Sequence, residues 1–135
     1  MSEYWLAAAI GAGIGVAMLA LFARLPAPKL ADSGFLALNV MLAVYIGASL
    51  VGGSMADVLT ETAIASVAVV VARLAMMRWL PAIGIAVFLH GMYDAIVGPH
   101  TGVADWYPPL CAGFDFVVGV GLVVVLWRRT RAATD

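Results

Sequence analysis

The sequence predicts an all-α integral membrane protein with five transmembrane helices. Of its 135 residues, 64% are hydrophobic and only 11% are charged. That leaves too few polar side chains to cover the surface of a soluble domain of this size. The apolar residues also form long runs separated by short polar breaks, which is typical of membrane-spanning helices.

Five runs approach the roughly 20 residues that a helix needs to cross the bilayer core. The predicted spans, which together form a single bundle over residues 1–135, are residues 4–22, 34–52, 56–77, 81–98 and 109–127. The third span has the most polar start, since it contains Asp57 and Glu61. If it were merged with a neighbour or left out, the chain would have four spans instead of five.

The distribution of positive charge supports five spans and predicts their orientation. All seven lysine and arginine residues follow span one, end span three or follow span five, so an odd number of spans places them on one side. The positive-inside rule makes that side cytoplasmic, with the N-terminus outside and the C-terminus in the cytoplasm. We therefore expect a multi-pass protein of an inner (cytoplasmic) membrane. Trp5 and Trp106 then fall at the outer interface, and Trp79 and Trp127 at the inner one, as aromatic belts require.

Glycine spacing in the first span predicts a close helix contact. Gly11 and Gly15 lie four residues apart, and such pairs of small residues let another helix approach closely. The partner is either a helix of the same chain or a second copy in a homodimer.

The sequence carries no phosphate-binding fingerprint and no basic patch of the kind that nucleic acid needs, so the expected partners are membrane lipids and a small lipophilic ligand.

Ionisable residues recur in pairs toward the predicted outer side. Each pair is four residues apart, so both members share one face of a helix: Asp57 with Glu61, His90 with Asp94, and Cys111 with Asp115. An ionisable group within the membrane costs several kcal/mol unless it meets a partner or a wet cavity. The pairs therefore predict a polar pocket that opens outward. The alternatives are hydrogen bonding that only holds helices together, and a solvated helix start for Asp57.

The segment "PHTGVADWYPPL" connects the two helices that carry His90 and Asp115. Prolines stiffen its ends, and Trp106 and Tyr107 are expected to fold over the outer rim as a lid, with Tyr45 and Tyr93 completing the substrate pocket. Two further polar residues of this connection, His100 and Asp105, are second-tier site candidates.

The stretches "HGMYD" and "WYPPLCAGFD" together resemble a family of small bacterial membrane proteins of unassigned function. That family's pattern is H-G-x-x-D followed by W-Y/W-P-P-x-C-x-x-x-D. The matching residues are His90, Gly91, Asp94, Trp106, Tyr107, Pro108, Pro109, Cys111 and Asp115. Family members often carry a second histidine beside the first loop histidine, whereas Pro99 precedes a lone His100 here. The chain is also weakly similar to sterol isomerases of the emopamil-binding type, which have five spans and a histidine four residues before an acid.

The favoured hypothesis is an enzyme that performs acid–base chemistry on a small lipophilic molecule. His90 would donate or accept a proton, while Asp94 and Asp115 orient it and stabilise developing positive charge, with Glu61 as a further catalytic candidate. Isomerisation or cyclisation would suit a site that is reached from the bilayer. This hypothesis requires no cofactor.

Two alternatives remain open from the residues alone. One is an outer-face site for a divalent metal, because histidine, carboxylate and thiolate groups are zinc ligands; its candidate ligands are His90, Asp94, His100, Cys111 and Asp115. The other is a small carrier or an accessory subunit of a membrane complex, whose outer acids would bind a cation or a proton.

Overall fold

The computed structural model describes residues 2–132, and every regular element in this range is helical. The elements are α1 (Ser2–Phe22), α2 (Ala27–Gly52), α3 (Met55–Arg78), α4 (Ala82–Ile96), a 3₁₀ turn (Gly98–His100) and α5 (Tyr107–Ala132). The prediction of an all-helical chain is therefore confirmed.

Four helices are long and apolar enough to cross a membrane, namely α1, α2, α3 and α5, whereas α4 is shorter, with 15 residues. Several long apolar helices of this kind indicate a membrane protein. The third span, whose polar start made it questionable, is a separate helix of 24 residues. Ser54 and Asp57 form a reciprocal capping box at its N-terminus, so the polar start stabilises the helix end.

In α2 and α5, proline accounts for a start that precedes the predicted span, because proline is well suited to a first helical turn. In α2, Pro26 occupies the N-cap position and Pro28 follows within the first turn, which brings Lys29 and Asp32 into the helix. In α5, Pro108 and Pro109 lie directly after the first residue, Tyr107. Proline lacks a backbone N–H, and the first N–H groups of a helix have no intrahelical partner in any case.

The helices alternate in direction, so α1, α3 and α5 run one way and α2 and α4 run the other. An ion pair of 3.4 Å joins Arg73 near the end of α3 to Asp32 near the start of α2. Arg129, near the end of α5, donates hydrogen bonds to the carbonyl groups of Ala23 and Leu25 in the α1–α2 connection. All seven lysine and arginine residues consequently lie toward one end of the bundle, which we call the basic end.

Glycine brings α5 close to two neighbours. A Cβ atom added to Gly11 of α1 would collide with the carbonyl oxygen of Leu110, and one added to Gly84 of α4 would lie 2.6 Å from the carbonyl oxygen of Gly119. Gly15 also faces α5, so the Gly11/Gly15 face makes an internal contact. A homodimer through the same face would have to displace α5.

The interior has an apolar half and a polar half. Toward the basic end and the middle, the buried side chains are apolar and include Leu30, Leu38, Ile83, Leu122 and Leu126. Toward the other end, which we call the acidic end, the buried residues include His90, Asp94 and Asp115. The fold thus places its buried charge-bearing groups on one side of a closed apolar core.

Candidate functional site

The polar cluster, which we define as His90, Asp94, Asp115 and Tyr45, joins three helices. His90 and Asp94 lie one turn apart on α4, Asp115 lies on α5 and Tyr45 lies on α2. Gly91 makes the contact between α4 and α5 possible, because a Cβ atom added there would lie 2.8 Å from Cβ of Asp115. A larger residue at this position would hold Asp115 away from the histidine.

Both carboxylates of the polar cluster face the same nitrogen of His90. The distance from Nδ1 to Oδ2 of Asp115 is 2.8 Å, and that from Nδ1 to Oδ2 of Asp94 is 3.3 Å. Tyr45 donates a hydrogen bond to the other oxygen of Asp94, Oδ1. The two aspartates are fully buried and His90 is 6% exposed, so these groups interact with one another in place of water.

Three atoms of the polar cluster have no hydrogen-bond partner among the described residues: Nε2 of His90, Oδ2 of Asp94 and Oδ1 of Asp115. Native proteins pair nearly all buried polar atoms, so unpaired ones call for an explanation such as a ligand, a water molecule or an ion. The imidazole has its supporting carboxylates on one edge and an unpaired nitrogen on the other. That arrangement suits proton donation or acceptance at Nε2.

Glu61 and Tyr93 form a second pair beside the polar cluster. The Tyr93 hydroxyl donates to the Glu61 carboxylate, with distances of 2.7 Å to Oε1 and 2.9 Å to Oε2. The ring of Tyr93 packs edge-on against that of Tyr45, with centroids 5.3 Å apart. Asp57 does not join this pair: it is exposed and hydrogen bonds to Ser54 at the start of α3, as expected for a solvated helix start.

Of the five candidate metal ligands, the structure brings three together. His90, Asp94 and Asp115 each offer a ligand atom within 4.8 Å of the others, and no other such group occurs among residues 2–132. Cys111 is buried one turn before Asp115 and neighbours Tyr107. His100 is exposed in the connection after α4. Neither belongs to the group of three.

The aromatic residues expected in the substrate pocket and its lid take different positions. Tyr45 is 1% exposed and belongs to the polar cluster, so it supports Asp94 from below the rim. The Tyr107 ring lies 6.3 Å from that of Tyr45 and 5.9 Å from that of Trp106. Trp106 is 61% exposed. Only the Trp106–Tyr107 pair therefore lies at the rim, with Tyr107 contacting the interior.

An apolar cavity of about 250 Å³ reaches the polar cluster from the side. It lies between α2, α3 and α4, and His90 and Tyr93 contribute to its walls. Two other wall residues, Val71 of α3 and Leu89 of α4, are largely exposed on the surface of the bundle. The cavity therefore opens laterally, toward the region that lipid chains occupy in a membrane.

A second cavity, of about 330 Å³, lies at the acidic end and is polar. Its walls include Ser49, Glu61 and His100. Sequence reasoning missed Ser49, which is 3% exposed. Its spacing of four from Tyr45 is the signal that could have found it, since the two residues share a face of α2.

A scan against protein-family models, a search of curated proteins and a search of solved structures each found no match to this chain.

Proposed function

We propose that this chain is a membrane-embedded enzyme that performs acid–base chemistry, of the isomerisation or cyclisation type, on a small lipophilic molecule. One observation carries the proposal: His90 has both carboxylates at Nδ1, an unpaired Nε2, and a ring that borders a laterally open apolar cavity. An apolar pocket with a few convergent polar groups is the usual form of a small-molecule site.

The proposed chemistry moves a proton and needs no oxidant or reductant. Nε2–H of His90 protonates a carbon–carbon double bond of the ligand, which leaves a carbocation and a neutral imidazole. In isomerisation Nε2 then takes a proton from a neighbouring carbon, so the double bond is restored elsewhere and the histidine regains its proton. In cyclisation a second double bond attacks the cation and closes a ring, and Nε2 takes a proton from a carbon next to the new cationic centre, which leaves a neutral ring with a double bond. Asp115 and Asp94 keep the Nδ1 proton in place and balance the positive charge that develops on the ligand.

We also propose that five helices cross a bacterial inner membrane, with the N-terminus outside and the C-terminus in the cytoplasm. α4 supports a fifth span because helical turns extend it on both sides, from Trp79 before it to the 3₁₀ turn ending at His100. The seven basic residues support the orientation, since the positive-inside rule favours a cytoplasmic basic end. The motif resemblance to small bacterial membrane proteins supports the choice of membrane.

Isotope exchange tests the enzymatic proposal without knowledge of the substrate. The purified protein is incubated in D₂O with a lipid extract from bacterial membranes, and the lipids are examined by mass spectrometry. We expect one class of lipophilic molecule to gain carbon-bound deuterium or to change its retention time. His90→Ala should abolish the change, whereas Asp32→Ala, which alters an exposed residue at the basic end, should retain it. Exchange that is equal with His90→Ala and wild type would refute the proposal.

A metal site is the second candidate, and the grouping of His90, Asp94 and Asp115 within 4.8 Å favours it. Nitrogen and carboxylate oxygen atoms are ligands for zinc and similar divalent ions. Mass spectrometry of protein purified without chelators would detect near-stoichiometric metal in wild type and its loss in His90→Ala. The absence of metal from both would count against this candidate and leave the metal-free chemistry in place.

A further inference from the structure

The apolar and polar cavities lie end to end along the same three helices. On α3, Glu61 borders the polar cavity and Ile64 and Ala68 border the apolar one. Val97, the C-cap residue that follows α4, borders the polar cavity, and Tyr93, one turn earlier on α4, borders the apolar one. A spacing of three or four residues keeps side chains on one helix face. The two cavities are therefore consecutive parts of one groove.

A hydrogen bond joins a wall residue of one part of this groove to a wall residue of the other. Glu61 lines the polar cavity, Tyr93 lines the apolar cavity, and the Tyr93 hydroxyl donates to the Glu61 carboxylate across the boundary. Glu61 is 9% exposed, so the carboxylate lies inside the bundle with a tyrosine as its partner. A ligand group that donates a hydrogen bond can take the place of that hydroxyl.

The walls of the polar cavity accept hydrogen bonds and carry negative charge. Glu61 and Asp57 line it, and none of the seven lysine and arginine residues does. The Ser49 side chain is almost fully buried, lines the same cavity and makes no side-chain hydrogen bond among the described residues. A hydroxyl that has no side-chain hydrogen bond and lines the same cavity as two carboxylates offers a contact to a polar ligand group, and the carboxylates disfavour an anion there.

We propose that the whole groove binds one amphiphilic molecule, with its apolar part between α3 and α4 and its head group against Glu61 and Ser49. The head group donates hydrogen bonds and carries no negative charge, as in an alcohol or an amine. This inference rests on the proposed function and names its substrate class. His90 precedes Tyr93 and Val97 on α4 by one to two turns, so the reacting atom lies about 5 to 10 Å from the head group.

Photoaffinity labelling tests this substrate class directly. The purified protein in lipid nanodiscs is irradiated with straight-chain probes that carry a diazirine in mid-chain and end in a hydroxyl, an amine or a carboxylate. We expect the alcohol or the amine to label α3 and α4 peptides that line the groove, at least tenfold more than the carboxylate does. The two supporting probes distinguish a neutral head group from a cationic one. Equal labelling by the carboxylate, or labelling spread over α1, would overturn the proposal.

Paired variants separate recognition from folding. Glu61→Gln removes the charged acceptor and should lower labelling about tenfold, whereas Glu3→Gln removes an acid outside the groove and should not. Tyr93→Phe removes the competing hydroxyl and should not lower labelling. If Glu61→Gln and Tyr93→Phe reduced labelling equally, their hydrogen bond would be merely structural and the proposal would fail.

Ala68→Phe should block the apolar part, and Ala20→Phe, on the exposed face of α1, should leave labelling unchanged.

His90→Ala distinguishes this inference from the proposed function. The variant should lose isotope exchange and keep selective labelling, because His90 acts on the ligand without contacting its head group. Selective labelling of wild type without isotope exchange would leave the amphiphile site standing and refute the chemistry. Isotope exchange without selectivity among the probes would refute the substrate class alone.

Discussion

The two sides of α4 are built differently. Toward α5 the backbones meet through glycine, since a Cβ atom added to Gly119 would lie 2.7 Å from the backbone nitrogen of Phe88. Toward α3 the contacts are made by side chains, α3 contains no glycine, and a cavity remains between the helices. One side of α4 is thus closed down to the backbone, while the other retains space that a ligand can fill.

His90 lies between the α4–α5 contact and the cavity next to α3, and it has neighbours in both. Its Nδ1 faces carboxylates that the α4–α5 contact and α4 itself hold in place, and its ring borders the cavity next to α3. A proton-transfer group needs fixed supporting partners and an accessible reacting atom. The α5 side of α4 supplies the fixed partners, and the α3 side places the histidine next to open space, although Nε2 itself is buried.

The largest expected effect comes from a side chain placed in the α4–α5 contact. In Gly84→Val, the new Cβ atom would lie 2.6 Å from the carbonyl oxygen of Gly119 and 2.7 Å from the backbone nitrogen of Val123. Because neither backbone atom can move without shifting a helix, we expect the free energy of unfolding to fall by about 3 kcal/mol or more. Titration with SDS, followed by circular dichroism, measures it.

Gly13→Val is the matched control, since a Cβ atom at Gly13 would meet nothing within 4 Å. It should change the free energy of unfolding by less than about 0.5 kcal/mol. Equal losses in the two variants would mean that the helix contact through glycine is not what distinguishes the two sides of α4.

A comparison of two tyrosines gives an intermediate effect. Tyr45→Phe leaves the buried Oδ1 of Asp94 without its donor, so the free energy of unfolding should fall by about 1 to 3 kcal/mol. Tyr93→Phe removes the hydrogen-bond donor of Glu61, but Glu61 borders the polar cavity and can accept a hydrogen bond from water there. The free energy of unfolding of this variant should therefore fall by less than about 1 kcal/mol. The same SDS titration measures both variants. A larger loss of unfolding free energy in Tyr93→Phe than in Tyr45→Phe would contradict the description of the α3 side of α4 as the more open one.

The smallest expected effect comes from filling the apolar cavity. Ala68→Phe adds apolar volume where the groove has space, so the free energy of unfolding should change by less than about 1 kcal/mol. Thermal unfolding of this variant beside wild type measures the change. A loss above about 2 kcal/mol would show that α3 packs as tightly as α5 and that the cavity is not free to accept a ligand.

The helices could be predicted from sequence because apolar runs and a 3.6-residue period are local properties. The spacing of four between His90 and Asp94, and between Cys111 and Asp115, correctly put both members of each pair on one helix face. Asp115 was expected near His90, and their contact follows from Gly91, whose missing side chain admits α5. The local sequence thus contains the polar residues and also Gly91, the glycine that lets Asp115 come close to His90.

The partners across helices could not be predicted, because they depend on how α2 and α3 rotate and shift against α4. Tyr45 is 49 residues from Asp94 in sequence, and Tyr93 is 32 residues from Glu61. Nothing in either local pattern distinguishes a lid tyrosine from one that donates to a buried carboxylate. The exposure of His100 and the separate position of Cys111 likewise follow from the loop path and the rotation of α5.

The pairing of α1 with α5 has a consequence for how the protein is made. Three helices are synthesised between α1 and the partner that its glycines fit, so α1 remains without that partner until α5 has been made. Its sequence after Tyr4 is apolar throughout, up to Phe22, and such a helix is stable in lipid on every side. We therefore expect a late step of assembly to be the packing of α5 against α1, with Arg129 hydrogen bonded to the α1–α2 connection.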